Sequence, residues 1–302
     1  MPLDFTPVTQ WEYSNMNYYV LAAIIGKVTG TNWAGWISKH IFDPAGMSQT
    51  LTCSMTDLVP NRAGGYERKS AGWENAQIWL ALRPSGAFLS SITNLTKWDG
   101  ILYNDKLLTT VSKKQMWTAM KLNDGKNTHY GFGWFIDSVN NHLHVHHSGF
   151  VPGFRSDFER FPDDKLTVIV LTNVGSVNVE RMAQNIAGFF MPALKPLPAK
   201  ALPDKEPGIT ARVKNFINGL QQHSSIDTST LSGELAKLYK KDQAQGLADP
   251  IRGKIYSIKL IERREKNGRR TYRYRLDYGY DYIDLIIQFD SQNKISGFGI
   301  ND

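Results

Sequence analysis

Five of the 13 prolines in this chain lie between residues 192 and 207, and no other feature constrains the fold as strongly. Proline fixes its own φ and has no N–H, so neither a helix nor a central strand continues through such a stretch. The prolines are Pro192, Pro196, Pro198, Pro203 and Pro207. They predict a stiff linker at 192–208 between a first domain, residues 1–191, and a second domain, residues 209–302. A chain of 302 residues is long enough for both.

The first domain opens with a helical pattern. Residues 16–29 carry apolar side chains at spacings of three and four, and Gly30 stands at the expected end. Residues 33–41 predict a second helix that ends before Asp43-Pro44, because the residue before a proline avoids the helical conformation. Residues 107–120 predict a further short helix.

The second half of this domain alternates apolar and polar residues as strands do. The predicted elements are strands at residues 130–136, 142–147, 155–162 and 166–173 and a terminal helix at residues 178–190. Asn140-Asn141 stands between the first two strands and is typical of a hairpin turn. An antiparallel sheet with helices packed on it is an α+β fold.

The second domain predicts two helices followed by an antiparallel meander. The helices are expected at residues 209–220 and 230–247, and the strands at residues 253–262, 269–276, 283–289 and 295–300. Asn267-Gly268 is a strong hairpin signal between the first two strands. This order of elements resembles the small NTF2-like or cystatin-like α+β domains that accompany larger catalytic domains.

Two short motifs in the first domain carry polar groups suited to chemistry. Tyr13-Ser14-Asn15 stands at the start of the first helix and presents a phenol beside a carboxamide, a proton shuttle next to a hydrogen-bonding amide. His147-Ser148-Gly149 leads out of the strand pattern at residues 142–147.

The two motifs resemble the second and third motifs of the serine β-lactamase and DD-peptidase superfamily, in its class C-like branch. Two further segments are close to the usual sequence of that superfamily: Asn-Tyr-Tyr-Val-Leu at residues 17–21 and Ile-Phe-Asp-Pro-Ala-Gly-Met at residues 41–47. The resemblance covers residues 3 to about 190. It implies acyl transfer on an ester, an amide or a β-lactam through an acyl-enzyme.

The resemblance also implies a role for each motif residue. Tyr13 would carry a proton to the leaving group, and Asn15 would hold the substrate amide. His147 would keep the surroundings of Tyr13 electropositive. The remaining three residues would bind substrate. Ser148 would bind the substrate carboxylate, Gly149 would allow the substrate to approach the strand closely, and the Phe150 N–H would be one donor of the oxyanion hole.

The first motif of that superfamily, Ser-x-x-Lys on a buried helix, has no convincing counterpart here. Only Ser291 has a lysine three residues later, and it lies in a predicted polar turn. Ser85, Ser90 and Ser91 lack that lysine and are typical of turns and helix caps. We therefore expect a truncated form of a serine hydrolase, without a nucleophile and inactive by the usual route. The alternative is a non-catalytic protein that binds a peptidoglycan-like or amide ligand in the inherited cleft.

Metal and cofactor sites receive little support from the sequence. His142, His144 and His146 share one face of a predicted strand and have the geometry to chelate a metal. No second cluster of carboxylates or histidines accompanies them, so the sequence assigns no metal ligand and no cofactor. Cys53 is the only cysteine, which excludes an internal disulfide and a cysteine-rich metal site.

The partner we expect is a small-molecule or peptidoglycan-like substrate. A net charge of +7 is the one feature that favours nucleic acid, and the basic residues form no nucleic-acid motif, so none is predicted. No apolar run approaches the roughly 20 residues of a membrane span. Apolar surface left uncovered by the missing segment predicts self-association or a partner that covers it. Relatives commonly work outside the cytoplasm, but the sequence assigns this chain to no compartment.

Overall fold

The computed structural model describes residues 3–54, 56–69, 72–77, 83–86, 88–195, 199–222, 226–239, 251, 253–266, 268–278 and 282–301. The chain divides into two compact units, Met1–Arg68 with Gly72–Pro196 and Lys69–Ala71 with Leu197–Asp302. The division after Pro196 falls inside the proline-rich stretch. The domain limits at residues 191 and 208 and the accessory character of the second domain stay predictions.

The first unit begins with two helices. The first, α1, spans Asn15–Thr29, and the left-handed backbone of Gly30 (φ 66°) closes it, so the prediction for this segment is confirmed. The second, α2, spans Trp33–Ile37. The side chain of Asn32 caps it by accepting a hydrogen bond from the Ala34 N–H.

The helical run continues through Pro44, so the predicted end before Asp43-Pro44 was wrong. It widens into a π-helical turn at Ser38–Phe42 and continues as α3, Asp43–Ala45. Proline has no N–H, and its ring crowds the carbonyl four residues earlier. The wider turn accommodates the proline, and the Asp43 N–H donates to the Ser38 carbonyl five residues back.

Short strand pairs and two helices connect this region to the main sheet. In chain order they are β1 (Leu51–Thr52), β2 (Tyr66–Lys69), β3 (Gly72–Asn75), β4 (Phe88–Leu89), α4 (Ile92–Leu102) and α5 (Thr110–Met116). The first strand pairs with the fourth, and the second pairs with the third. Ser91 caps α4 by accepting the Asn94 N–H, which confirms its prediction as a cap residue. Cys53 is buried.

The main sheet has four antiparallel strands that pair in chain order. They are β5 (Phe135–Val139), β6 (His142–Val151), β7 (Phe154–Phe161) and β8 (Leu166–Thr172), followed by the helix α6 (Val179–Phe190). The turn between the first two strands is at Asn140-Asn141, as predicted. Both residues have positive φ (49° and 71°), which asparagine tolerates well.

Residues 130–136 do not form the predicted strand. Regular pairing begins at Phe135, and the preceding residues make a tight turn in which the Gly131 N–H donates to the Trp134 carbonyl at 2.8 Å. A Cβ at Gly131 would lie 2.2 Å from the Met116 carbonyl oxygen, and Gly133 has a φ of 78°. The turn therefore requires glycine at both positions, and the alternation of these glycines with aromatic residues only resembles the pattern of a strand.

A different layer packs on each face of the main sheet. On one face Leu102 and Trp134 pack with Val145 of β6. On the other face Phe161 and the valines of β8 pack against α6. Leu194, which is 1% exposed, belongs to this second cluster. Helices on an antiparallel sheet confirm the α+β prediction for this unit.

Arg160 of β7 is the largest fully buried side chain of the sheet. Its Nε donates to Asp99 Oδ1 of α4 at 2.7 Å. Its guanidinium also lies over the rings of Tyr103 and Trp117, at 4.6 and 4.9 Å from their centroids. One carboxylate thus balances a charge that is removed from water, and this pair ties α4 to the sheet.

The second unit carries two helices and a four-stranded antiparallel sheet in the order β12-β11-β10-β9. Its elements are α7 (Pro207–Gln221), α8 (Gly233–Tyr239), β9 (Ser257–Lys266), β10 (Arg269–Asp277), β11 (Tyr282–Phe289) and β12 (Ile295–Asn301). Lys266 pairs with Arg269, so the predicted hairpin is present, although Asn267 itself lies outside the described residues. The predicted helix at residues 230–247 leaves the described residues after 239.

Basic side chains near that hairpin have acidic partners. Arg263 Nε lies 2.8 Å from Glu206 Oε2, and Arg270 Nη1 lies 3.2 Å from Glu206 Oε1. The local excess of positive charge is therefore smaller than the sequence suggests. None of the described helices combines the length and the apolar character needed to cross a bilayer.

Replacing Asp99 by alanine is expected to destabilise the first unit strongly. The change leaves the buried Arg160 guanidinium without a carboxylate, which costs about 3 to 5 kcal/mol in comparable buried pairs. Urea unfolding followed by tryptophan fluorescence measures the loss.

Two matched variants make this test specific. Asp163→Ala removes an exposed carboxylate and should change stability by less than about 0.5 kcal/mol. The double variant Asp99→Ala/Arg160→Met removes both charges and should recover most of the loss. Equal stability of Asp99→Ala and the unsubstituted protein would show that Arg160 does not depend on this ion pair.

Candidate functional site

Tyr13 and Asn15 stand where the extended chain turns into α1. Ser14 has extended backbone (φ −139°) and makes no side-chain cap bond. The Tyr13 hydroxyl donates a long hydrogen bond of 3.5 Å to Asn15 Oδ1. Tyr13 is 40% exposed, so the phenol and the carboxamide lie together at the surface of the first unit.

His147 lies on β6 and faces this turn. Its ring centroid is 5.8 Å from that of Tyr13. The Tyr130 hydroxyl is 3.0 Å from His147 Nε2, and the Tyr18 hydroxyl is 2.9 Å from that of Tyr130. The structure therefore brings Tyr13, Asn15 and His147 together and adds two tyrosines that the sequence analysis did not assign to the site.

The hydrogen bonds of His147 determine where its proton is. Nδ1 lies 2.6 Å from the Ser148 carbonyl oxygen, which only accepts, so Nδ1 carries the hydrogen. In the neutral ring Nε2 is then an acceptor, the Tyr130 hydroxyl donates to it, and the Tyr18 hydroxyl donates to Tyr130. Burial lowers the pKa of His147, which favours this neutral form. A neutral ring supplies no positive charge to Tyr13.

Tyr13 and Tyr130 also stay neutral. Burial, followed by the influence of Tyr18, raises the pKa of Tyr13 above its ordinary value. Burial and the hydrogen bond from Tyr18 raise the pKa of Tyr130 far above that value. Tyr13 can therefore donate a proton as a phenol, but it does not become a base in these surroundings.

The remaining motif residues follow His147 along β6. Val145 to Val151 pair with β7, whereas the pairing with β5 ends at His146, so among the described strands none pairs with the other edge of β6 beyond His147. Gly149 lies opposite Ser156, whose Oγ would be 2.5 Å from a Cβ at that position. Phe150 is 59% exposed, and the Arg155 guanidinium lies 4.4 Å from its ring centroid.

Ser148 takes the opposite face of β6 from His147. Its cross-strand partner is Asp157, which is buried. The two side chains therefore flank the open strand edge from its two sides. A ligand at that edge is in reach of both, whereas a ligand held wholly on the side of Tyr13 contacts His147 alone.

Ser291 and Lys294 lie on a turn between β11 and β12. The Asp290 N–H donates to the Lys294 carbonyl at 3.0 Å, and Asn293 has a φ of 62°. Ser291 is exposed. The prediction that this serine belongs to a polar turn is confirmed, and the turn lacks the helical stacking that places Ser and Lys of a Ser-x-x-Lys motif together.

The histidines of β6 do not gather around one point. His142 Nδ1 lies 2.8 Å from Asp164 Oδ2, away from the other two. His144 and His146 stack with their ring centroids 4.1 Å apart, and Asp137 of β5 reaches both. Among the described residues, Asp137, His144 and His146 form the one group whose ligand atoms lie close enough to hold a metal, within 4.8 Å of one another.

Tyr18 and Tyr130 are site residues that no sequence motif predicted. Tyr18 lies in the predicted helix at residues 16–29, and Tyr130 lies in the predicted strand at residues 130–136. They are 112 positions apart, so no spacing rule joins them. Asp137 was also missed, although a signal existed: a two-residue turn at Asn140-Asn141 makes it the cross-strand partner of His144.

Comparisons with known proteins agree on one family. The profile of the family described as Beta-lactamase matches residues 1–189. Penicillin-binding protein 4* of Bacillus subtilis (strain 168) is 30% identical over 185 residues, which are 56% of this chain and 41% of that protein. A D-aminopeptidase of Gluconobacter oxydans (strain 621H) is 23% identical over 76% of this chain and 46% of its own length. The chain spans less than half the length of either relative.

A solved structure with the same fold covers both units. The octameric penicillin-binding protein homologue from Pyrococcus abyssi superposes with a TM-score of 0.58 and 19% identity. The match takes in 98% of this chain and 62% of that chain. At this identity the similarity concerns the fold alone.

Replacing Tyr130 by phenylalanine is expected to raise the pKa of His147. The change keeps the ring but removes the hydrogen bond that stabilises the neutral imidazole through Nε2. Side-chain NMR titration measures the pKa directly. In the unsubstituted protein the titration midpoint should lie below about 6.5, so stability should fall as the pH drops below that value, where the unfolded chain takes up a proton that the folded one resists.

Tyr13→Phe is the matched control. Tyr13 touches the His147 ring but makes no hydrogen bond to it, so this variant should leave the His147 midpoint nearly unchanged. A midpoint that moves equally in both variants would show that burial alone, and not the Tyr130 bond, sets the protonation of His147.

Proposed function

This chain belongs to the β-lactamase family of serine hydrolases, and from that premise we propose that its first unit supplies the proton-donating and substrate-binding part of an acyl-transfer site. The observation that carries the proposal is the meeting of Tyr13 and Asn15 with His147, whose ring lies 5.8 Å from that of Tyr13. The three come from the two motifs by which the sequence resembles that family.

Each residue has a chemical part in the proposal. The neutral phenol of Tyr13 donates its proton to the leaving group as the acyl bond breaks. The Asn15 carboxamide holds the substrate amide. His147, with Tyr130 and Tyr18, fixes the surroundings of Tyr13 through a chain of hydrogen bonds of 3.0 and 2.9 Å.

The open edge of β6 is the proposed place for the substrate. An extended acyl chain there lies beside Ser148, which would bind its carboxylate, and beside Phe150, whose N–H would stabilise the oxyanion. Gly149 allows the backbone to approach closely. Because the third motif begins with histidine, we propose an ester or a small or peptidoglycan-like amide as the substrate. D-aminopeptidase and penicillin-binding protein are the names of the relatives, and both fit an amide.

The nucleophile is proposed to come from outside these 302 residues. In family terms a serine hydroxyl attacks the acyl carbon and gives up its proton, Tyr13 protonates the departing group, and the proton from the serine restores the Tyr13 phenol. Water then adds to the acyl-enzyme, releases the acid and returns a proton to the serine. Ser291 is in an exposed turn, and the raised pKa of Tyr13 keeps its phenol protonated, so Tyr13 does not serve as the base that activates a serine. The chain by itself is therefore proposed to bind substrate without forming an acyl-enzyme.

One side of α1 supports the proposal that another surface covers this unit. Val20, Ile24 and Val28 are 54%, 51% and 79% exposed although their spacing is that of a packed helix face. Along Leu166–Thr172, β8 pairs with β7 alone among the described strands. We propose self-association or a partner segment on this surface, and the relative from Pyrococcus abyssi is described as octameric.

A D-amino acid amide should bind the isolated chain, and the binding should depend on the motif residues. Titration with D-alaninamide is expected to shift the NMR resonances of Tyr13 and His147. Asn15→Ala removes one hydrogen bond to the ligand and should weaken binding by roughly 3- to 10-fold. Ser291→Ala is the control and should change nothing.

Intact mass spectrometry provides the other arm of this test. Incubation with a fluorophosphonate or a fluorescent penicillin should give no adduct on the folded chain. A stoichiometric adduct, mapped to any serine of the chain, would contradict the claim that the nucleophile comes from elsewhere. Absence of any amide binding would contradict the assignment of the substrate site, and binding that persists unchanged in Asn15→Ala would favour a different ligand position.

Sedimentation velocity should reveal association that depends on concentration in the micromolar range. Val20→Glu/Ile24→Glu places two charges on the exposed apolar side of α1 and should shift the protein to monomer. Lys114→Glu makes a comparable charge change at an exposed position of α5 and should leave the association intact. A monodisperse monomer in the unsubstituted protein would refute self-association.

A further inference from the structure

We propose that Asp137, His144 and His146 form a metal site on the β5–β6 hairpin, with the ligand chemistry of Zn²⁺. The site is independent of the proposed hydrolase function, because its side chains lie on the opposite face of β6 from His147. Two imidazole nitrogens and one carboxylate oxygen are a ligand set that zinc accepts in proteins, with a fourth position left for water.

The hairpin register brings the three residues together. Asp137 is the cross-strand partner of His144, and His146 follows two residues later on the same face. Asp137 Oδ1 is 2.8 Å from His144 Nδ1, and Asp137 Oδ2 is 3.5 Å from His146 Nε2. Ligand atoms of one tetrahedral zinc ion lie about 3.3 Å apart, since each is about 2.0 to 2.1 Å from the metal. With one oxygen taken from Asp137, the three ligand atoms lie within 4.8 Å of one another, so a closing movement of up to about 1.5 Å brings them to that spacing.

The two imidazoles are already aligned for a common ligand. Their planes differ by 4° and their centroids are 4.1 Å apart. The other side of the His144 ring packs against Phe161 at 4.9 Å, which restricts its orientation. Parallel rings held in this way present their edges in one direction, towards Asp137, and lose little side-chain freedom when a metal binds.

A second observation comes from two buried atoms that have no hydrogen-bond partner among the described residues. They are His144 Nε2 and Glu159 Oε2, on side chains that are 2% and 1% exposed. The two atoms face each other at 3.8 Å, too far for a hydrogen bond. When Nδ1 of a histidine binds a metal, its Nε2 keeps the hydrogen and usually donates to a carboxylate. Glu159 stands where that carboxylate belongs.

The neighbouring histidines are engaged elsewhere. His142 pairs with Asp164, and His147 bonds to Tyr130 on the other face of β6. Asp137 is about half exposed and gives an ion access from solvent. A bound ion would join β5 to β6 and so fix the strand that carries His147-Ser148-Gly149.

Metal binding by the full chain tests the proposal. After dialysis against a chelator, titration with Zn²⁺ should show one tight site per chain, and Co²⁺ should give the visible absorption of a tetrahedral site with nitrogen and oxygen ligands. Asp137→Asn and His146→Gln each remove one ligand from a solvent-accessible position and should weaken Zn²⁺ binding at least about tenfold. Glu159→Gln should weaken it roughly 10- to 100-fold through its contact with His144.

His142→Gln is the matched control, because it removes a histidine of the same strand that lies outside the proposed site. It should bind Zn²⁺ as the unsubstituted protein does. Circular dichroism of the metal-free variants confirms that they are folded, and NMR of the unsubstituted protein should show the His144 and His146 resonances moving on addition of Zn²⁺ while His142 does not. Binding that is equally affected by His142→Gln, that survives Asp137→Asn and His146→Gln unchanged, or that is absent altogether would overturn the proposal.

Discussion

The turn at Asn140-Asn141 controls the part of the molecule on which both proposals depend. Both residues adopt a left-handed conformation, so two residues suffice to reverse the chain, and Val139 must pair with His142. Every later position of β6 then has a fixed face. A slip of one residue would exchange the faces and place His147 under α6 and His144 beside Tyr13. The buried layers on both faces oppose that slip.

One strand therefore carries two independent sets of polar side chains. On one face His147 joins Tyr130 and Tyr18 in a chain of neutral hydrogen bonds. On the other face His144 and His146 meet a carboxylate. Burial raises the pKa of Glu159 to about 9, and the neighbouring Asp157 adds to this effect. The hydrogen bonds of His144 and His146 more than offset the burial of Asp137 and hold its pKa below the usual range. In the metal-free protein the negative charge of these two groups is thus concentrated at Asp137, and a cation bound beside His144 would favour the ionised carboxylate of Glu159.

Local rules predicted much of this fold from the sequence. The cap at Ser91, the left-handed end of α1 at Gly30 and the turn at Asn140-Asn141 follow from the conformational preferences of single residues. The family itself was recognised from the amino-acid sequences of residues 11–47 and 146–154. These features need no information about distant parts of the chain.

The errors have non-local causes. Residues 130–136 alternate as a strand does, but Gly131 is required by the carbonyl of Met116, fifteen positions earlier. The hydrogen-bond chain from Tyr18 through Tyr130 to His147 joins three separate parts of the chain and has no signal in the spacing of any motif. Asp137 is an exception. Counting residue pairs outward from the turn at Asn140-Asn141 places Asp137 opposite His144, so this contact could have been predicted from the sequence.

The energetics of Tyr13 show what a cation beside its phenol would contribute. Even at an ordinary pKa near 10, forming the phenolate at pH 7 costs about 4 kcal/mol, and burial moves the pKa of Tyr13 further upward. His147 is neutral and does not offset that cost. An ammonium group about 4 Å away in a partly exposed site contributes about 4 kcal/mol of attraction. One lysine beside the phenol would therefore offset the cost of ionisation at the ordinary pKa but not the additional cost that burial imposes. On the proposal that another segment covers the exposed apolar side of α1, a packed helix that carries apolar side chains and an ammonium group would both cover that side and attract the phenolate.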